Sequence, residues 1–121
     1  MSVYMKILVS LIAAEHLFIL WIEMFAWTGK GKKFFPNLNA DFFEKTKSMA
    51  ANQGLYNGFL SAGLIWSAVI SNSIWAYAVA TFFLCCVIVA GIYGAATSSK
   101  SIFLKQALPA ILVFIVLMLT K

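Results

Sequence analysis

Glu15, His16 and Glu23 are the residues best suited to chemistry. The chain holds four acids and one histidine. Two of those acids and the histidine fall inside one apolar stretch, residues 13–25. That stretch is apolar enough to cross a membrane, where a charge costs roughly 2.5–3.5 kcal/mol at the bilayer centre on insertion scales. An ionisable side chain kept at such a cost marks a functional site by default. On a helical wheel of about 100° per residue, His16 falls about 100° and Glu23 about 80° from Glu15, so all three share one face. His16 and Glu23 are about 10.5 Å apart along the axis. They do not touch, yet one ligand or a chain of water spans both. Removal from water favours the neutral form of a carboxyl and of an imidazole alike, which suits proton exchange.

The partners of these groups follow from depth. If Trp27 ends the first crossing and Ala50 begins the second at the same level, Glu23 lies level with Gln53 and Asn57. Those two are i,i+4 neighbours and point the same way. Asn52 and Tyr56 belong to the same polar patch, and Tyr93 and Gln106 fall at similar depth on later helices. Glu15 and His16 sit deeper, level with Ser61. The expectation is a polar pocket lined by Glu15, His16, Glu23, Asn52, Gln53, Tyr56, Asn57, Tyr93 and Gln106. The alternative is structural glue, since such side chains hydrogen-bond between membrane helices at about 0.6 kcal/mol per contact. Two carboxylates fit that alternative less well than the amides do. A metal is not expected, for one histidine and two scattered acids lack HExxH or Glu-x-x-His spacing. No motif calls for a cofactor, and no nucleophile elbow surrounds Ser61.

The elements that must carry these residues are four long apolar runs, expected as helices over 4–27, 50–70, 74–97 and 102–119. The fold class is therefore all-α, a four-helix transmembrane bundle forming one domain over residues 1–121. Of the 121 residues, 63% are hydrophobic and 11% charged, against about 25% charged in soluble domains. The runs do not alternate with period two, which excludes an outer-membrane barrel. The first run resembles a signal peptide in outline, but Glu15 and His16 interrupt it and no small-residue cleavage site follows, so it is read as retained. The long connection at 28–49 is expected to hold one short interfacial helix from near Asp41, where Asp41 and Glu44 have capping-box spacing, with Phe34, Phe35, Phe42 and Phe43 dipping into the interface. Gly91 with Ala95, and Ala90 with Gly94, give small-xxx-small spacing for close helix packing. Pro109 is expected to kink the last helix. Cys85 and Cys86 read as small buried hydrophobes.

All nine basic residues are lysines and the net charge is +5. Without arginine a phosphate-recognition role on nucleic acid loses its best tool. Lys30, Lys32 and Lys33 instead suit anionic lipid headgroups. Lys30, Lys32, Lys33, Lys45, Lys47 and Lys100 lie in the first and third connections, against an uncharged Ser-Asn-Ser turn at 71–73. The loops 28–49 and 98–101 are thus expected in the cytoplasm, with both termini outward.

Three stretches resemble a known family: Glu-His-x-x-Ile-Leu-x-x-Glu-Met-Phe-x-Trp at 15–27, Asn-Gln-Gly-Leu-Tyr-Asn-Gly-Phe-Leu at 52–60, and Ala-Gly-Ile-Tyr-Gly at 90–94. Gln106 with Pro109-Ala110 adds to them. Together they are similar to the domain of unknown function 1304 family, over essentially the whole chain. The resemblance implies a small bacterial four-helix integral membrane protein and no particular activity. The residues themselves leave three functions open. One is a carrier or binding protein for a small, partly apolar or lipid-like ligand, coupled to protonation of Glu15 or Glu23; four helices are few for a path, so it needs a homodimer. The second is an intramembrane acid/base enzyme, isomerase-like, using Glu15, His16 and Glu23 on a lipidic substrate. The third is a structural or interaction subunit.

Overall fold

The computed structural model describes residues 1–121, Phe103 by its backbone alone. It is built of helices: α1 (Val3–Phe25), α2 (Gly31–Phe34), α3 (Ala40–Lys45), α4 (Lys47–Val69), α5 (Ser73–Thr97), α6 (Lys100–Ile102), a π-helical turn (Phe103–Ala107) and α7 (Leu108–Thr120). Among the described residues no strand occurs. Among the described residues three runs are long and apolar enough to cross a membrane: Val3–Phe25, Ser73–Thr97 and Lys100–Thr120. The helix α4 is 23 residues long, so its length suffices, at about 1.5 Å per residue, for roughly 30 Å of hydrocarbon. Its polar side chains keep it outside that apolar class.

Two compact units divide the chain, one made of Met1–Ala13 and Ala62–Lys121, the other of Ala14–Ser61. In the first unit, α5 buries Ala76, Ala80, Leu84, Val87 and Gly91. Spacings of four, four, three and four place them on one stripe. The stripe packs against α7, which buries Ala110, Val113 and Leu117. Gly91 faces the π-helical turn that leads into α7: a Cβ there would stand 2.7 Å from the backbone nitrogen of Ala107. The small-residue spacing therefore does join helices, through Gly91 and, against Ile102, Gly94. Cys85 is exposed and Cys86 half-buried. That corrects the expectation of two buried thiols. They follow Leu84 on the helix and so turn away from the buried stripe.

Local chemistry sets the ends of these helices. Asn72 caps α5, its Oδ1 accepting from the Trp75 backbone N–H at 3.1 Å; this satisfies a donor that the first turn cannot pair internally. Pro109 stands in the first turn of α7. With no N–H it cannot bond to the Lys105 carbonyl four residues back. The chain meets this with the π-helical turn over Phe103–Ala107, and Pro109 then occupies a position where a missing N–H costs little.

In the second unit, the connection between α1 and α4 folds back on the end of α1. It holds two short helices rather than the single one expected. The cap of α3 is Asn39, without a side-chain bond, and Asp41 sits in the first turn, so the Asp41/Glu44 pair is not a capping box. Phe43 is fully buried, its ring 5.0 Å from that of Trp27, and does not dip into an interface. Trp27 Nε1 donates to Thr46 Oγ1 at 3.0 Å, and that hydroxyl donates to the Phe42 carbonyl at 2.6 Å. Thr46→Val keeps the shape and removes both bonds. It is expected to lower stability by about 1 kcal/mol, read as a fall in melting temperature in detergent.

Candidate functional site

Within the second unit the C-terminal part of α1 meets the N-terminal part of α4. On α4 as far as Ser61 the buried positions are Ala50, Gly54, Asn57 and Ser61, again at spacings of three and four. Two of them bring the backbones close. A Cβ at Gly54 would stand 2.7 Å from Met24 Cγ and 3.0 Å from Glu23 Cβ, and one at Gly58 would stand 2.7 Å from Leu20 Cδ1. The sequence 54–58 is thus a Gly-x-x-x-Gly seam of the kind that packs membrane helices. The sequence signal for it is the Gly54/Gly58 spacing itself, set among polar residues.

That seam carries Glu23 and Asn57. Asn57 Nδ2 donates to Glu23 Oε1 at 2.7 Å and to the Gln53 carbonyl at 3.2 Å. Both amide hydrogens are used, and Glu23 and Asn57 are 8% and 9% exposed. A buried polar group without such a bond would cost about 1–3 kcal/mol. Glu23 and Asn57 are therefore a closed clamp between two helices.

Deeper along α1, His16 and, on α4, Ser61 are fully buried. Glu15 is different. Its side chain is 32% exposed, and His16 Nδ1 stands 3.9 Å from Oε1. That oxygen is itself buried and accepts no hydrogen bond. At 3.9 Å the imidazole is beyond hydrogen-bonding reach. Glu15 thus has a partly exposed side chain whose buried carboxyl oxygen Oε1 lacks a donor.

The remaining expected residues lie elsewhere. Asn52 and Gln53 are exposed, and Tyr56 is 61% exposed, its ring 6.0 Å from Phe59. Gln53 sits on the shoulder of the buried seam, and Asn52 and Tyr56 on its far side, so the three do not line a pocket with Glu23. Tyr93 and Gln106 belong to the first unit. Tyr93 is exposed and lines a shallow concavity of about 550 Å³ with Phe82, Cys85, Cys86, Val89 and Ala90. Gln106 is half-buried in the π-helical turn. Of the nine expected residues the structure pairs Glu23 with Asn57 and sets Glu15 beside His16, while Asn52, Gln53 and Tyr56 turn away from Glu23. Shared depth alone does not fix which side of a helix faces inward.

A small helical protein with ionisable groups sunk in its apolar helices is the class these features define. The chain belongs to the family described as protein of unknown function (DUF1304), whose model matches residues 10–118. It is 32% identical over 117 residues to the uncharacterized protein YpaA of Lactococcus lactis subsp. lactis (strain IL1403), covering 95% of this chain and 97% of that one. No solved structure matches the chain.

Proposed function

We propose that the protein is a multi-pass protein of the bacterial plasma membrane that binds a small, partly apolar ligand at Glu15 and exchanges a proton in doing so. In this reading α1, α4, α5 and the run from α6 through α7 all cross the bilayer as one domain. The polar seam of α4 is compatible with crossing because its buried amide is bonded to Glu23. The lysine-rich connections face the cytoplasm and the termini face outward.

The observation that carries the reading is Glu15, whose side chain is partly exposed while its carboxyl oxygen Oε1 is buried and unbonded. In low dielectric such a group gains most from a donor that arrives with the ligand, an ammonium above all. An amphiphilic amine supplies both the donor and the apolar body. The test is thermal unfolding in detergent with a panel of alkylamines, using alkyl alcohols of equal chain length as controls. A ligand that binds only the folded protein raises its melting temperature, and saturation at about 100 times Kd contributes about 2.7 kcal/mol. An amine is expected to stabilise the wild type and not Glu15→Gln. Equal stabilisation of both, or none of either, contradicts the reading.

A second reading, that the polar groups only hold helices together, is favoured at Glu23 by its direct bond to Asn57 across the glycine seam. It does not extend to Glu15, which makes no such bond. The acid/base enzyme has less support: His16 is fully buried and reaches no substrate without local opening.

A further inference from the structure

The connection after α1 does not project away from the helix. Gly31 N–H donates to the Ala26 carbonyl at 2.6 Å, and a Cβ at Gly31 would stand 2.9 Å from that same oxygen. This tight reversal sends α2 back along α1. Phe34, at its end, meets Phe18 edge-to-face at 5.4 Å. Phe18 in turn stacks on Trp21 at 5.9 Å, and Lys30 Nζ lies 5.9 Å from the Trp21 ring. Phe18 precedes the end of α1 by seven residues, about 10.5 Å along the axis.

All three rings keep an open side, with Phe18, Trp21 and Phe34 between 39% and 46% exposed. Beside them Lys30, Lys32 and Lys33 are exposed, with no acid between Glu23 and Asp41. We infer that residues 28–35 form a strap that lies at the boundary of acyl chain and headgroup and gathers anionic phospholipid on its three lysines. This rests on the reading above that α1 crosses the bilayer. Apolar rings then sit below the boundary while the lysines extend their stems upward to the phosphates. Lysine binds phosphate as a point charge rather than as a fork. The strap therefore selects for charge and not for headgroup shape.

The experiment is reconstitution into nanodiscs of mixed phosphatidylglycerol and phosphatidylcholine, followed by extraction and measurement of the phospholipid retained on the protein. The wild type is expected to retain phosphatidylglycerol preferentially, and phosphatidylserine equally well in its place. The triple variant Lys30→Gln, Lys32→Gln, Lys33→Gln is expected to lose about fivefold in that preference per lysine. Arginine at all three positions is expected to restore it. Lys45→Gln, Lys47→Gln, Lys100→Gln removes the same charge and is expected to retain the preference. If this second triple loses as much as the first, or the wild type shows no preference, the strap is overturned. Depth is read separately from Trp21 fluorescence, with Trp27, Trp66 and Trp75 replaced by Phe. Bromines placed high on the acyl chain are expected to quench it. Absence of quenching overturns the crossing of α1, and the strap with it; quenching without lipid preference overturns the strap alone.

Discussion

Gly91→Leu is expected to unfold the protein under conditions where the wild type is stable. The buried stripe of α5 meets Ala107 at this glycine, and even one added carbon would stand 2.7 Å from the Ala107 Cβ and nitrogen and 2.9 Å from its Cα. Two of those atoms are backbone, so no rotamer change relieves the contact. Overpacking a close-packed site costs about 1–3 kcal/mol and more where nothing yields; Gly91 belongs at or above the upper end. Unfolding by SDS in mixed micelles measures it. Ala90→Leu, one position round the helix on the exposed side, is the control and is expected to leave stability near that of the wild type. Similar midpoints for the two variants contradict the packing of α5 on the π-helical turn.

Asn57→Leu is expected to destabilise by about 1–3 kcal/mol, because it leaves the Glu23 carboxyl buried without its donor. The loss belongs to the pair rather than to the amide alone. Glu23→Leu in the same background removes the stranded carboxyl, and the double variant is expected to regain much of what Asn57→Leu lost. Neighbours that share a bond couple by about 0.5–3 kcal/mol in a double-mutant cycle. Additive losses would show that Glu23 and Asn57 do not act on one another. Glu23→Gln is expected to be close to neutral, since an amide oxygen accepts from Asn57 as a carboxylate does.

The helices of this chain were legible because length and apolarity govern them. An uncharged turn at 70–72 separates α4 from α5, one residue from the expected 71–73, and α5 spans Ser73–Thr97 where 74–97 was expected. The small-residue spacing at Gly91 and Gly94 was legible too, since close approach has a local signature. The side of a helix that faces inward was harder to read. Gln53 and Asn57 are four residues apart, yet Asn57 is buried and Gln53 exposed. The seam through Gly54 decides between them, and it passes on Asn57's side. The first connection was least legible. Its two short helices owe their position to tertiary contacts, the Phe43 ring on Trp27 and the Thr46 hydroxyl on the indole, and capping-box spacing at Asp41 does not foresee these. Nor does composition mark which of two glutamates is satisfied: Glu23 has a donor at 2.7 Å, and Glu15 Oε1 has none.

Proton release on ligand binding tests the role of Glu15 most directly. At a pH low enough to keep the Glu15 carboxyl protonated, an alkylammonium that pairs with it displaces its proton, leaving a carboxylate–ammonium pair and one proton in solution. A pH-sensitive dye in weakly buffered detergent reads that proton as the amine saturates the protein. Expected is release from the wild type, the same release from Glu23→Gln, and none from Glu15→Gln. Release from Glu15→Gln equal to that from the wild type, or saturation of the wild type with no proton released, would contradict a proton-exchanging site at Glu15.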